Sequence, residues 1–351
     1  GLDIRVLPVC ADGQHDLATL AAWLPGVALL CTMAANNETG VVSNLAAIKK
    51  MLIQANSNAL WLVDGVQALG KLDLHLHNSR IDYAPFSGHK LYAPKGIGML
   101  YVRRGAPFTP LMAGGGQEGG LRSGTENMPG IAALGAVLQA LLRGDTFASH
   151  TTLRGYRDQL ERCLRSAFPA IAFNAPLERS LPTTLNFSVP GISSKTLLDV
   201  FDAAGLRVSA GSACSAAQSA PSYVLDAMGQ SAWRTTSAVR LSIGALVSSQ
   251  LVDAACVAIT RCGPLLRALA EADARELGHA SAGGATDPLP ALGAASSDEA
   301  TTALTLSWSE LDVFLERNPD ARLVDVREAA EHLASGGLHC GAQSAINLPL
   351  S

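Results

Sequence analysis

Strand-like apolar runs alternate with an amphipathic helix near the start of the chain, and this alternation constrains the fold more than any other feature. Val27 to Met33 and Leu60 to Val63 are apolar runs of strand length, and between them apolar residues recur at helical spacing from Leu45 to Ala55. Two strands joined by a crossover helix run parallel. The sequence therefore predicts an α/β fold with a parallel-rich central sheet flanked by helices.

Further elements extend this sheet. Asp16 is an N-cap candidate for a short helix that Gly26 ends. Additional strands are predicted at Ile4 to Val9, Tyr83 to Phe86 and Ile97 to Val102, and an additional helix is predicted from Gly130 to Leu142. We expect these elements to form one large domain over residues 1–148.

A second pattern begins near residue 149 and indicates a smaller α/β lobe over residues 149–272. Its predicted helices are Thr152 to Ala167, Lys195 to Ala204 and Gln250 to Ala272, and its predicted strands are Thr184 to Val189 and Ala238 to Ile243. Residues 273–303 are rich in Ala, Gly, Ser and Asp and lack periodicity, which predicts a flexible linker. Residues 304–351 then form a third segment, with a capping box at Ser307 and a strand from Arg322 to Val326.

Composition excludes several classes of function. No apolar run approaches the roughly 18 to 20 residues that a membrane-spanning helix needs. The formal charge of -4, without a long basic run, gives no electrostatic reason to expect nonspecific nucleic-acid binding. The seven cysteines contain no CxxC pair and no signal peptide precedes them, so we expect free thiols, a reducing cytoplasm and no metal site.

Polar side chains follow three predicted strands at the positions where those strands end. Carboxyl ends of parallel strands share one edge of a sheet, where ligands bind, so one pocket is expected to collect these side chains. They are Asn36 and Asn37 after the first strand, Asp64 after the second, and Ser87, His89 and Lys90 after the third.

Asp64 and Lys90 each allow two interpretations. A carboxylate after an apolar run is costly to bury unless a cation meets it, and a protonated pyridine nitrogen would serve; the alternative is a helix N-cap. Lys90, in a small-residue loop, has the amine that imine formation needs, whereas the alternative is a solvated loop lysine.

Four motifs together resemble the cysteine desulfurases of the class V aminotransferase group, which have the pyridoxal-phosphate-dependent transferase fold of type I. These motifs are Asn36-Asn37-Glu38-Thr39-Gly40, Asp64-Gly65-Val66-Gln67, Ser87-Gly88-His89-Lys90 and Arg122-Ser123-Gly124-Thr125, and the resemblance runs from about Ile4 to Ala272. It implies a pyridoxal 5'-phosphate cofactor, carried as a Schiff base on Lys90. It also implies that Asp64 pairs with the ring nitrogen, Gln67 with the ring oxygen, and Ser87 and His89 with the phosphate, with Asn37 near the substrate carboxylate.

The resemblance also implies an L-cysteine substrate and a homodimer. Thr125 would reach the cofactor phosphate of the neighbouring subunit, and Arg240 would bind the substrate carboxylate, although an internal salt bridge is the alternative for a charged residue in an apolar strand. Cys214 lies in the small-residue stretch from Ser209 to Pro221, as in the longer-loop desulfurases. It would take the sulfur as a persulfide and release alanine; the alternative is an inert buried cysteine.

The tail resembles the opening of a rhodanese domain, through Leu323 to Glu328 and Ala345 to Ser351. Cys340 does not occupy the sulfur-carrying position of that family, so a truncated rhodanese-like segment is expected. The family's N-terminal Gly-Thr phosphate contact and its ring-stacking histidine have no counterpart in this sequence, and we expect that an upstream part is missing.

Three functions follow as hypotheses. The first is a cysteine desulfurase that passes sulfur to a protein acceptor or scaffold, for iron-sulfur assembly or another pathway. The second is a catalytically silent sulfur-relay or dimerisation scaffold. The third is a related pyridoxal-phosphate lyase or aminotransferase, which would not need Cys214 in a small-residue loop.

Overall fold

The computed structural model describes residues 3–211 and 221–282, together with four two-residue strands between residues 324 and 347. The chain comprises two compact units, Gly1–Gly283 and Gly284–Ser351. Among the described residues, no helix has the length and apolar character needed to cross a bilayer. The boundaries at residues 148, 272 and 303 remain predictions.

A four-stranded sheet in the order β1-β2-β3-β4 forms the first part of the larger unit. The strands β1, β2 and β3 run parallel, as predicted, and β4 is antiparallel to β3. Leu20, Ile48 and Trp61 are among the side chains buried between this sheet and its helices. The bounds are α1 Leu17–Trp23, β1 Leu29–Met33, α2 Leu45–Gln54, β2 Leu60–Asp64, β3 Tyr83–Ser87 and β4 Gly98–Val102.

Asp82 directly precedes β3, and its fully buried side chain connects several parts of this sheet. Its carboxylate accepts hydrogen bonds from the Trp61 amide at 2.8 Å, from Arg80 at 2.6 Å and from Arg103 Nε at 2.9 Å. Burial raises the pKa of Asp82, but the hydrogen bonds from Arg103, Trp61 and Arg80 outweigh burial and hold the pKa below its usual value. One carboxylate therefore links β2 to the residues that flank β3 and β4.

A second sheet, in the order β5-β6-β7, is antiparallel throughout and packs against long helices. Every residue of β6 is buried, and Leu160, Phe187 and Ile259 belong to the core on which this sheet rests. The bounds are α3 Met128–Arg143, α4 His150–Ala167, β5 Ala172–Phe173, β6 Thr184–Ser188, α5 Ser194–Ala203, α6 Tyr223–Ala227, α7 Ala232–Thr236, β7 Val239–Ser242 and α8 Ser249–Ala282.

Two predictions differ from the structure. Ile4 to Val9 is not a strand: Ile4 and Val6 are 82% and 86% exposed, and Val9 makes only an isolated bridge to His15. An apolar pattern becomes a strand only where a partner strand completes the backbone ladder. Helix α8 continues past Ala272 into the segment that was predicted as a linker, because Ala, Glu, Arg and Leu in residues 273–282 are good helix formers.

In the smaller unit, β8 (Val324–Asp325) pairs in parallel with β11 (Ile346–Asn347), and β9 (His339–Cys340) pairs antiparallel with β10 (Gln343–Ser344). β8 lies inside the predicted strand from Arg322 to Val326. The predicted helix at Ser307 lies outside the described residues. The rhodanese-like resemblance of residues 304–351 therefore remains a prediction.

Candidate active site

The carboxyl ends of β1, β2 and β3 lie side by side at one edge of the sheet. Met33 is paired with Asp64, and the amide of Ala34 donates to the carbonyl of Asp64 at 2.9 Å. The amide of Gly65 in turn donates to the carbonyl of Pro85 at 3.1 Å. The residues that follow the three strands therefore start from adjacent positions, where the ligands of such sheets bind.

A close contact between Gly65 and Phe86 fixes the turn that carries Asp64. A Cβ atom on Gly65 would lie 2.3 Å from Cε1 of Phe86, so only glycine lets the backbone after β2 lie against the end of β3. Within that turn, Asp64 is half-buried and its Oδ1 accepts a hydrogen bond of 2.8 Å from the Val66 amide. The predicted N-cap-like contact is present, and Oδ2 remains for a ligand.

Ser87, His89 and Lys90 lie at and just after the end of β3. His89 and Lys90 belong to a one-turn 3₁₀ helix, Gly88–Leu91, and both are exposed, whereas Ser87 is half-buried. Gly88 secures this turn, since its amide donates to the carbonyl of Ile97 at 2.9 Å. The amine of Lys90 is thus held on a short rigid turn beside Ser87 and is accessible to a ligand.

The loop after β1 brings Asn37 to the second sheet. Oδ1 of Asn36 accepts from the amides of Glu38 and Thr39 at 2.8 and 2.9 Å, so the Asn36 side chain is used to build the turn. The carbonyl of Asn37 accepts a 2.6 Å hydrogen bond from Nη1 of Arg240 on β7. Asn37 and Arg240, 203 positions apart in sequence, therefore belong to one site.

Lys71 lies within electrostatic range of two other basic side chains, Lys90 and Arg240. Nζ of Lys71 donates to Oε1 of Gln67 at 3.3 Å. Burial, together with the charges of Lys90 and Arg240, lowers the pKa of Lys71 to about 8. Burial lowers the pKa of Arg240 as well, while the charge of Glu38 raises it. Nε of Arg240 is buried and has no hydrogen-bond partner among the described residues.

This cluster of charges suits an anionic ligand, because like charges gathered in a partly buried site repel one another until an anion neutralises them. Pyridoxal phosphate meets the requirement: its phosphate needs cations and hydroxyl donors such as Ser87, its ring nitrogen needs a carboxylate such as Asp64, and its aldehyde needs an amine such as Lys90. The residues present therefore fit this cofactor.

Lys71 and Glu38 were not singled out from the sequence. Glu38 stood inside the motif from Asn36 to Gly40, but its burial depends on residues far along the chain. The glycine before Lys71 was a possible signal, since glycine often marks a close approach of the backbone. Gly70 has a φ of +72°, and a Cβ atom there would lie 2.5 Å from Cδ1 of Leu91, next to Lys90.

Two predicted site residues are not brought to this group by the described structure. Thr125 is exposed in the loop before α3, and no hydrogen bond within the described chain joins it to the other predicted site residues. Cys214 lies outside the described residues. The proposed roles of both residues remain predictions.

Comparisons with known proteins show which family and which solved structures this chain resembles. The family described as aminotransferase class-V matches residues 1–254. A cysteine desulfurase of Nostoc sp. strain PCC 7120 is 39% identical over 272 residues, covering 77% of this chain and 67% of that protein. Among solved structures, a NifS-like protein superposes with a TM-score of 0.66 at 33% identity, covering 76% of this chain and 69% of that one. A structure described as SspA in complex with cysteine gives a TM-score of 0.59 at 28% identity, covering 71% and 68% of the two chains.

Proposed function

The chain belongs to the aminotransferase class-V family, and on that premise we propose that it is a pyridoxal-phosphate-dependent cysteine desulfurase that converts L-cysteine to L-alanine. Its curated relatives carry that name at identities of 35% to 40%. A solved structure of a NifS-like protein has the same mixed α/β fold with a parallel-rich sheet. The residues of the site supply an independent argument.

The observation that carries the proposal is the gathering of Lys71, Lys90 and Arg240 at the carboxyl edge that also holds Asp64. A desulfurase must bind two anions there, the cofactor phosphate and the carboxylate of its amino-acid substrate. It also needs one carboxylate for the ring nitrogen. Lys71, Lys90 and Arg240 supply positive charge for the two anions, and Asp64 supplies the carboxylate for the ring nitrogen.

Each residue has one role in the proposal. When bound, the cofactor ring accepts the electrons released at the substrate Cα, and Asp64 keeps the ring nitrogen protonated. Arg240 binds the substrate carboxylate through the Nε atom that lacks a partner among the described residues. Lys90 would form the covalent link to the cofactor, His89 and Ser87 would bind its phosphate, and Gln67 would contact its ring oxygen. Asn37 would lie beside the substrate, and Thr125 would reach the phosphate of the second subunit in a homodimer.

Cys214 is the proposed sulfur acceptor. Its thiolate attacks the sulfur of the substrate cysteine, the Cβ–S bond of the substrate breaks, and the sulfur remains on Cys214 as a persulfide. The three-carbon skeleton takes up protons and leaves as alanine. A second thiol, on an acceptor protein, then removes the outer sulfur.

The setting of the reaction is also part of the proposal. We place the protein in the cytoplasm, where thiols stay reduced. The free thiols of Cys10, Cys31 and Cys163 among the described residues support this. The acceptor is a protein thiol, and the segment 304–351 is proposed to be rhodanese-like.

The exposure of Lys90 favours a second candidate, a catalytically silent sulfur-relay or dimerisation scaffold. An imine on a solvent-exposed amine is open to hydrolysis, because nothing in the described chain excludes water from it. Retention of the cofactor separates the two candidates. A scaffold would lose pyridoxal phosphate on gel filtration, and a desulfurase would keep it.

The direct test is to incubate the purified chain with pyridoxal phosphate and L-cysteine, quantify alanine, and search for an added sulfur on Cys214 by mass spectrometry. Lys90→Ala and Cys214→Ala should each abolish both products. Lys95→Ala and Cys10→Ala, which remove an exposed lysine and an exposed cysteine elsewhere, should abolish neither. Cofactor retention without alanine would favour a related lyase or aminotransferase, and the absence of both would favour the scaffold.

A further inference from the structure

Glu38 is a buried carboxylate that the proposed reaction does not use. It is 1% exposed, and its Oε2 accepts a hydrogen bond of 2.7 Å from Oγ of Ser222. A carboxylate removed from water is costly unless hydrogen bonds or a nearby cation compensate it. The structure supplies both, in the Ser222 hydroxyl and in the electrostatic attraction between Glu38 and Arg240.

Ser222 links Glu38 to the chain just after residues 212–220. It is the N-cap of α6, where its hydroxyl also accepts from the Leu225 amide at 3.2 Å. Before that segment, Ser209 pairs with Arg240 through two backbone hydrogen bonds of 2.7 and 3.0 Å. Ser209 and Ser222 flank the segment that contains Cys214. Ser209 is therefore bonded to Arg240, and Ser222 is bonded to Glu38.

The backbone carbonyl of Glu38 is also hydrogen-bonded to the second sheet. Nδ2 of Asn186, which pairs with Arg240 across β6 and β7, donates to the carbonyl of Glu38 at 3.1 Å. Oδ1 of Asn186 accepts from Asn174, whose own Oδ1 accepts from Nε of Arg234. A connected polar network of this kind gives one fixed arrangement of its members, because each lost bond leaves a buried group unpaired.

From these contacts we infer that Glu38 is a positioning residue that couples Arg240, the proposed ligand of the substrate carboxylate, to Ser222, the cap that follows the segment carrying Cys214. The inference rests on the proposed function. The charge of Glu38 orients the guanidinium, and its hydrogen bond holds Ser222. One side chain would thus set both the place of the substrate and the point at which the nucleophile segment ends.

The two halves of this role can be separated by substitution. Glu38→Gln keeps an oxygen that can accept from Ser222 but removes the charge that acts on Arg240. Ser222→Ala removes the hydroxyl and leaves the charge. Ser180→Ala is the matched control, since Ser180 is 8% exposed and its hydroxyl makes a 2.8 Å bond to the Pro176 carbonyl rather than to Glu38.

Two measurements are made on the full chain. For Glu38→Gln, KM for L-cysteine should rise about fivefold or more while kcat stays within about twofold, because the loss falls on substrate positioning. For Ser222→Ala, the rate at which iodoacetamide alkylates Cys214 in the cofactor-free chain, followed by mass spectrometry, should change by about threefold or more. Ser180→Ala should leave both values at those of the wild type.

The coupling is overturned if Glu38→Gln leaves KM unchanged or if Ser222→Ala leaves the alkylation rate unchanged, since the inference requires both effects. If Glu38→Gln does not fold, an unchanged alkylation rate in Ser222→Ala still overturns the coupling. A wild-type chain that produces no alanine would refute the proposed function instead. The alkylation measurement would then still test whether Ser222 holds the nucleophile segment.

Discussion

Oδ1 of Asp64 accepts a hydrogen bond of 2.8 Å from the amide of Val66, so one carboxylate both shapes the turn after β2 and offers a second oxygen to the site. The two interpretations of Asp64 from sequence, an N-cap-like contact and a partner for a ring nitrogen, are therefore compatible. They can be separated because the first needs an acceptor oxygen and the second needs a charge.

Asp64→Asn should keep the fold and lose the activity. Its amide oxygen can still accept from Val66, so the free energy of unfolding should change by less than about 0.5 kcal/mol. Without the charge, alanine production should fall by about 100-fold, in line with the loss of an acid–base partner. Urea denaturation and an alanine assay measure the two effects, and equal losses of stability and activity would contradict the separation.

Arg240→Lys should weaken substrate binding. A lysine retains the charge but cannot form the two parallel hydrogen bonds that a guanidinium makes to a carboxylate, so KM for L-cysteine should rise by about 10-fold or more. Steady-state kinetics test this, with Arg207→Lys as the control because Arg207 is exposed and pairs with Asp202. An unchanged KM would mean that Arg240 serves only the contacts seen with Asn37.

Lys71→Met should stabilise the cofactor-free chain at neutral pH. The folded pKa of Lys71 is about 8 against an ordinary value of 10.5, so below pH 8 the folded state carries the full cost of a buried charge. Between pH 8 and 10.5 the unfolded chain binds more protons, and the contribution of Lys71 to stability rises with pH. The variant should therefore exceed the wild type by up to about 3 kcal/mol at pH 7, with a smaller difference at pH 10.

Urea denaturation at both pH values checks the effect of Lys71→Met. Lys50→Met, at an exposed position on α2, is the control and should show no such pH dependence. A constant difference between wild type and Lys71→Met at pH 7 and pH 10 would contradict the depressed pKa.

Asp82→Asn should destabilise the first sheet by about 3 kcal/mol, because it removes the charge that compensates Arg80 and Arg103. The pKa of Asp82 is lowered in the folded state, so its stabilisation is present above the unfolded value near 3.8 and is lost as the pH falls through the folded pKa. The cost of the variant should be full at pH 7 and smaller in acid. Exposed Asp73→Asn serves as the control in the same denaturation series.

Gly65→Ala should destabilise the protein by about 1–3 kcal/mol and displace Asp64, since the added methyl group collides with Phe86. Gly135→Ala, on α3, has no atom within 4 Å of the added Cβ and should instead stabilise by about 0.5–1 kcal/mol. Thermal denaturation distinguishes the two variants. Equal effects would show that the ring of Phe86 moves aside easily.

Local patterns were sufficient for the elements whose partners lie close in sequence. The strands β1 and β2 and the helix between them were predicted because apolar spacing reports directly which face of an element is buried. Ile4 to Val9 has a similar apolar pattern, and the prediction was wrong because no neighbouring strand pairs with it in the described chain. The period of an apolar pattern alone does not reveal whether a partner strand is available.

The site was predicted only in part for a related reason. Asp64, Ser87 and Lys90 follow strands, so their common edge could be inferred from strand order. Glu38 and Lys71 could not be singled out, since an acidic residue in a polar loop and a lysine after a glycine are usually solvated. Glu38 is buried, and its side-chain hydrogen-bond partner, Ser222, is 184 positions away.

The hydrogen bonds that hold Asn37 and Glu38 to Asn186, Ser222 and Arg240 span 148, 184 and 203 positions, and this has a consequence for folding. Contacts so distant in sequence form slowly, because the entropy of closing long loops is lost before the contact returns any stability. During synthesis, the first sheet is complete once residue 102 has emerged, whereas the loop after β1 gains these partners only as β6, Ser222 and β7 follow. The substrate-binding region is thus assembled last, although its first residues are made early.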